Sequence, residues 1–94
     1  MQIDLVYFEG CPHADAARQR LREVLASLGS TARWTEWDSE DAATPPRLRG
    51  YSSPTVLVNG IDVERKSPTS GAGCAVGGGP SVEALRAALM EAGR

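Results

Sequence analysis

Two cysteines, Cys11 and Cys74, and a single histidine, His13, are the residues of this chain best suited to chemistry. Cys11 has the more informative surroundings. It stands in YFEGCPHADAARQ (7–19), directly after Glu9-Gly10 and ahead of a proline and a helical pattern. A thiol at the start of a helix meets unpaired N–H groups and the positive end of the macrodipole, and both stabilise the nucleophilic thiolate. Cys11 is therefore expected to be more acidic than an ordinary thiol. His13 could add positive charge there, while Glu9 works against it. The same position also suits a small buried hydrophobe that merely begins a helix. Ala14 occupies the place where a second thiol would complete Cys-x-x-Cys. A redox partner for Cys11 must then come from elsewhere in the chain or from another molecule.

Composition narrows the function classes. Ninety-four residues suffice for one domain spanning 1–94, without room for a second core. The formal charge of −2 argues against general nucleic-acid binding, which needs a concentrated basic face. No apolar run approaches the length of a membrane span. MQIDLVYFEGC lacks the basic start and long apolar stretch of a secretory signal. The expectation is a cytoplasmic protein, whose cysteines stay reduced unless catalytic, redox-sensing or metal-binding. Cys11, Cys74 and His13 fall short of the four ligands of a structural zinc site.

Periodicity supplies the elements that position these residues. QIDLVYF (2–8) reads as a central strand. Pro12 suits a first helical turn, Ala17, Leu21, Val24, Leu25 and Leu28 recur at helical spacing, and Gly29 closes the helix. Arg18, Arg20, Arg22 and Glu23 are expected to face solvent. TARWTEW (31–37) predicts a second strand, with Trp34 and Trp37 on opposite faces as packing residues. Ser39 could cap a short helical turn before Pro45-Pro46. Thr55–Val58, the Asn59-Gly60 turn and Ile61–Val63 predict a hairpin. A Gly-rich, irregular and flexible loop is expected over 65–80. Ser81 then caps a last helix with Val82, Leu85 and Leu89 on its buried stripe. The order is β-α-β-(short α)-β-β-α, an α/β layer around a four-stranded mixed sheet.

Three pieces of the chain, CPH at 11–13, SPTVLVNG at 53–60 and GGGPSVEAL at 77–85, carry a resemblance to the thioredoxin-like superfamily. The nearest type is a glutaredoxin-sized member with a single-cysteine C-P-H-A motif. The resemblance spans Ile3 to Ala92. It implies that Pro54 is a cis-proline facing Cys11, and that the backbone of Ser53 pairs with substrate in a groove shared by Thr55. It further implies that Gly78 and Gly79 hold a carboxylate of glutathione, the co-substrate of that family, with no bound cofactor. The chain departs from the pattern at Ala14, at His13 in place of an aromatic, and at Glu9-Gly10 in place of a lysine. Its segment 65–77 is also longer.

In a sheet of this topology, the hairpin returns the chain to the end where Cys11 sits. Cys74, in the middle of the following loop, becomes a candidate resolving thiol. Arg49 and Arg65, with Arg47 and Lys66, would form a cationic rim able to attract an anionic thiol, or an ordinary solvated rim. The leading expectation is a thiol–disulfide oxidoreductase in which Cys11 attacks and Cys74 resolves. Its partners would be protein or small-molecule thiols and disulfides, glutathione among them. The alternatives are a soft-metal carrier using Cys11 and Cys74 as thiolate ligands, and a thioredoxin-like interaction domain without catalysis.

Overall fold

The computed structural model describes residues 1–51, 53–64 and 79–92. Its centre is β1 (Ile3–Tyr7), whose alternating side chains fill both sides of one sheet. Ile3 and Leu5 join Val56 and Val58 beneath two helices, while Val6 packs with Leu48 and Leu57 on the opposite side. β2 (Thr35–Asp38) lies parallel to β1, with Asp4 opposite Thr35 and Tyr7 opposite Asp38. β3 (Thr55–Val58) runs antiparallel to β1, with Val6 opposite Thr55. β4 (Ile61–Asp62) completes a four-stranded mixed sheet in the order β2-β1-β3-β4.

Helices cover both faces. α1 (Ala14–Ser27) buries Ala14, Ala17, Leu21, Val24 and Leu25, and it packs against α3 (Val82–Ala92), which buries Leu85 and Leu89. The short α2 (Pro46–Arg49) places Leu48 on the other face, beside the partly buried Trp37 and Tyr51. Trp34 packs into the α1–α3 cluster, so the two tryptophans do serve opposite faces. Asp4 is buried in the centre of the sheet, where Trp37 Nε1 (2.9 Å) and Gln2 Nε2 (3.0 Å) donate to its Oδ1. Among the described residues, no helix is long and apolar enough to cross a membrane.

Local chemistry explains the ends of these elements. Asn59 (φ 52°) and Gly60 (φ 83°) form the left-handed pair that a two-residue hairpin requires. Gly29 (φ 68°) follows α1, and the bonds Gly29 N to Ala26 O and Ser30 N to Leu25 O make a Schellman termination. Leu28, expected on the buried stripe, is instead the C-cap residue and is 37% exposed. Ser81 caps α3 by accepting Ala84 N–H at 3.1 Å. Strand β2 begins four residues later than the pattern of 31–37 predicts. Its first rung is Thr35 against Asp4, so residues ahead of Trp34 would run past the start of β1 and find no ladder partner.

Candidate functional site

The backbone around Cys11 is shaped by two consecutive turns. Cys11 N–H donates to Phe8 O at 3.2 Å across Glu9-Gly10, and Gly10 takes φ 89°, the left-handed value required at the third position of a type II turn. Cys11 O then accepts Ala14 N–H at 3.3 Å. Helix α1 starts only at Ala14, with His13 as its N-cap and no side-chain capping bond. Cys11 thus lies in the turn before the helix, and Pro12 lies outside the first helical turn where the sequence pattern puts it. The proline disfavours the helical conformation in the residue ahead of it, which keeps Cys11 out of the helix, and the first 5→1 bond runs from Ala17 N–H to His13 O at 3.0 Å.

The thiol faces the loop that leads into β3. Cys11 is 7% exposed, and its Sγ lies 3.7 Å from the carbonyl oxygen of Ser53 as a donor to it. The hydroxyl of that same serine accepts Phe8 N–H at 3.2 Å, so Ser53 bridges both ends of the turn that carries Cys11. The Ser53–Pro54 peptide bond is cis. Gly79 closes over Pro54: a Cβ built on this glycine would stand 2.6 Å from Pro54 Cγ and 3.3 Å from Pro54 O. Residues from three separate parts of the chain, near 11, 53 and 79, therefore meet at one end of the sheet.

Outside this contact lies an open cleft of about 290 Å³ lined by Tyr7, Phe8, Glu9, Gly10, Cys11, Ala14, Asp15 and Arg18. Arg18, expected to face solvent, is its organiser. Its Nε bonds both oxygens of Glu36 (3.0 and 2.9 Å), its Nη1 meets Asp15 Oδ1 at 2.6 Å, and its guanidinium lies 4.8 Å from the Tyr7 ring centroid. Hydrogen bonding to Glu36 is the leading cause of a raised Arg18 pKa, opposed by desolvation. On the guanidinium's side, the pairing is therefore lost only as pH rises beyond that raised value. The local signal that points to Arg18 is its i,i+3 spacing from Asp15 on α1, and nothing local points to Glu36 or Tyr7. Arg18→Met is expected to lower stability by about 1 kcal/mol, a cost that shrinks at high salt. Urea unfolding at low and high ionic strength measures it.

Other expected site residues fall elsewhere. Thr55 is buried in β3 opposite Val6, inside the sheet. Arg49 donates to the carbonyls of Thr44 (2.9 Å) and Ala42 (2.5 Å), bracing the loop ahead of α2. His13 is half-buried at the N-cap. Arg65, Lys66, Cys74 and Gly78 lie outside the described residues, as does most of the expected loop over 65–80. Among the described residues, no group of three or more His, Cys, Asp or Glu side chains is gathered as a metal site. Compared with protein-family models, characterised proteins and solved structures, the chain finds no match.

Proposed function

We propose that this chain is a thiol–disulfide exchange protein of thioredoxin-like topology, with Cys11 as its nucleophile. One observation carries the reading: the Cys11 thiol bonds the Ser53 carbonyl just ahead of Pro54, and Cys11 lines a polar cleft one turn ahead of α1. The Cys11 thiolate attacks one sulfur of a substrate disulfide, the S–S bond breaks, and the departing sulfur leaves as a thiolate that takes up a proton. Cys74 resolves the mixed disulfide by attacking Cys11 Sγ, which releases the bound half as a thiol and leaves a Cys11–Cys74 disulfide. An external thiol such as glutathione instead attacks the partner sulfur, which frees Cys11 as a thiolate and carries the bound half away as a disulfide. Ser53 and Pro54 are buried behind the thiol, where Ser53 O holds Cys11 Sγ, and the incoming disulfide is met by the residues that line the cleft, among them Glu9, Gly10, Asp15 and Arg18.

The test uses the reduced Cys74→Ser protein, in which Cys11 is the one thiol left, and bis(2-hydroxyethyl) disulfide, an uncharged substrate. Intact-mass analysis should show one 2-mercaptoethanol adduct on Cys11 that added thiol removes. Cys11→Ser should abolish both adduct and turnover. If the folded protein forms no adduct, and Cys11 reacts only under denaturing conditions, it is a buried structural cysteine and the reading fails.

A further inference from the structure

Gly79 belongs to no helix, strand or tight hairpin, yet its freedom to move is small. It adopts φ 93°, and the next residue, Pro80, is buried, with its carbonyl accepting Arg20 Nη1 at 3.3 Å. Ser81 is then fixed as the cap of α3 through Ala84 N–H and Leu85 N–H. The segment leading into α3 is thereby tied to α1 on one side and to α3 on the other. It presents the bare α-carbon of Gly79 to the ring of Pro54. The 2.6 Å separation from Pro54 Cγ that a Cβ would have is a distance real side chains do not adopt, and Pro54 Cδ would follow at 3.1 Å.

Pro54 has equally little room to retreat. It is fully buried, and the preceding Ser53 is held by Phe8 N–H at its hydroxyl and by Cys11 Sγ at its carbonyl. A push at Gly79 must therefore pass through Pro54 into the Ser53 carbonyl that faces the thiol. We propose that Gly79 is a positioning residue for Cys11: its missing side chain lets the lead-in to α3 seat Pro54, and that seat sets how closely Ser53 covers the thiol. The proposal rests on Cys11 being the reacting group, but its test does not use the exchange activity.

Other glycines separate this role from simple backbone strain. Gly29 (φ 68°) and Gly60 (φ 83°) share the left-handed conformation, and a Cβ at either meets nothing within 4 Å. Alanine at 29 or 60 strains the backbone alone, while alanine at 79 adds the collision with Pro54. In a Cys74→Ser background, which leaves one thiol, iodoacetamide alkylation of Cys11 is followed for the three alanine variants while each stays folded. Gly79→Ala should alkylate faster by about fivefold, the rate equivalent of one hydrogen bond lost from the thiol's cover. The amide signals of Phe8 and Cys11 in a ¹⁵N–¹H spectrum should move with it. Gly29→Ala and Gly60→Ala should melt lower than the parent, with unchanged Cys11 rates and unchanged Phe8 signals. If Gly79→Ala does not fold, Arg20→Met decides, because it releases the Pro80 carbonyl without adding volume at Gly79. It should raise the Cys11 rate by about twofold or more. A Cys11 rate in Gly79→Ala equal to that of the two control variants, or an unchanged rate in Arg20→Met when the alanine variant is unfolded, overturns the proposal.

Discussion

Protein oxidised with diamide is expected to melt roughly 20 °C above the reduced form, because a bond between Cys11 and Cys74 closes a loop of about 60 residues. The chain-entropy model gives such a closure about 4 kcal/mol, less any native strain. The two thiols lose two electrons and two protons to diamide, which becomes the hydrazine. The observations that support the pairing are the flanks of the segment carrying Cys74. Val63 N–H donates to Val56 O at 3.0 Å on β3, and Gly79 lies on Pro54, the neighbour of the Cys11 thiol's acceptor. Calorimetry of oxidised and reduced samples gives the difference in midpoint, and Cys74→Ser should erase it. That variant should still form the mixed disulfide on Cys11 but release it slowly. Peptide mapping that finds only Cys11-linked dimers or glutathione adducts would make Cys74 a bystander and leave a single-cysteine mechanism.

Leu21→Ala should be the most damaging truncation in α1. Leu21 is 0% exposed in the cluster with Ile3, Leu5, Val24, Leu85 and Leu89, where α1, α3 and the sheet meet. Removing three buried carbons and leaving a void costs about 3 kcal/mol. A domain of this size has only about 5–15 kcal/mol in total, and the midpoint should fall by roughly 15 °C. Leu28→Ala, two turns further along, should change stability by no more than about 0.5 kcal/mol, since Leu28 lies at the exposed C-cap. Urea titrations of both variants with a common m-value give the comparison. Equal losses at the two positions would mean that the buried stripe continues to the end of the helix.

Where local chemistry dictates a backbone, the sequence was legible. Asn59-Gly60 announces its turn, Ser81 its cap and Gly29 its helix end, because each effect acts within four residues. The apolar run around Leu5 and Val6 likewise marks the central strand. Register and pairing were harder. The start of β2 depends on where β1 begins, 31 residues earlier at the Asp4–Thr35 rung, and no local propensity in TARW reports that. The offset of α1 from Pro12 to Ala14 is set by the separate turn that Ala14 N–H closes on Cys11 O, which the helical spacing of the apolar residues does not report. Arg18 reads as one more solvent-facing helix cation until β2 brings Glu36 alongside and β1 brings Tyr7. Arg49 reads as a rim cation until the loop carbonyls of Ala42 and Thr44 claim it. Gly79 was legible as part of a glycine run. Its contact with Pro54 was not, since only the fold brings positions 54 and 79 together.

The far end of the sheet has a practical use. Gln2 and Asn59 exchange hydrogen bonds there, Gln2 N–H to Asn59 Oδ1 at 2.9 Å and Asn59 N–H to Gln2 O at 2.7 Å. This end is separated from the Cys11 turn by the five residues of β1, about 17 Å of strand. Gly60 is exposed at its tip, and a Cβ there meets open space. An attachment point for a dye, a bead or a sensor surface placed at this turn would orient the molecule with the Cys11 end of the sheet away from the support. A macromolecular disulfide arriving from solution would then meet Cys11 before it met the support.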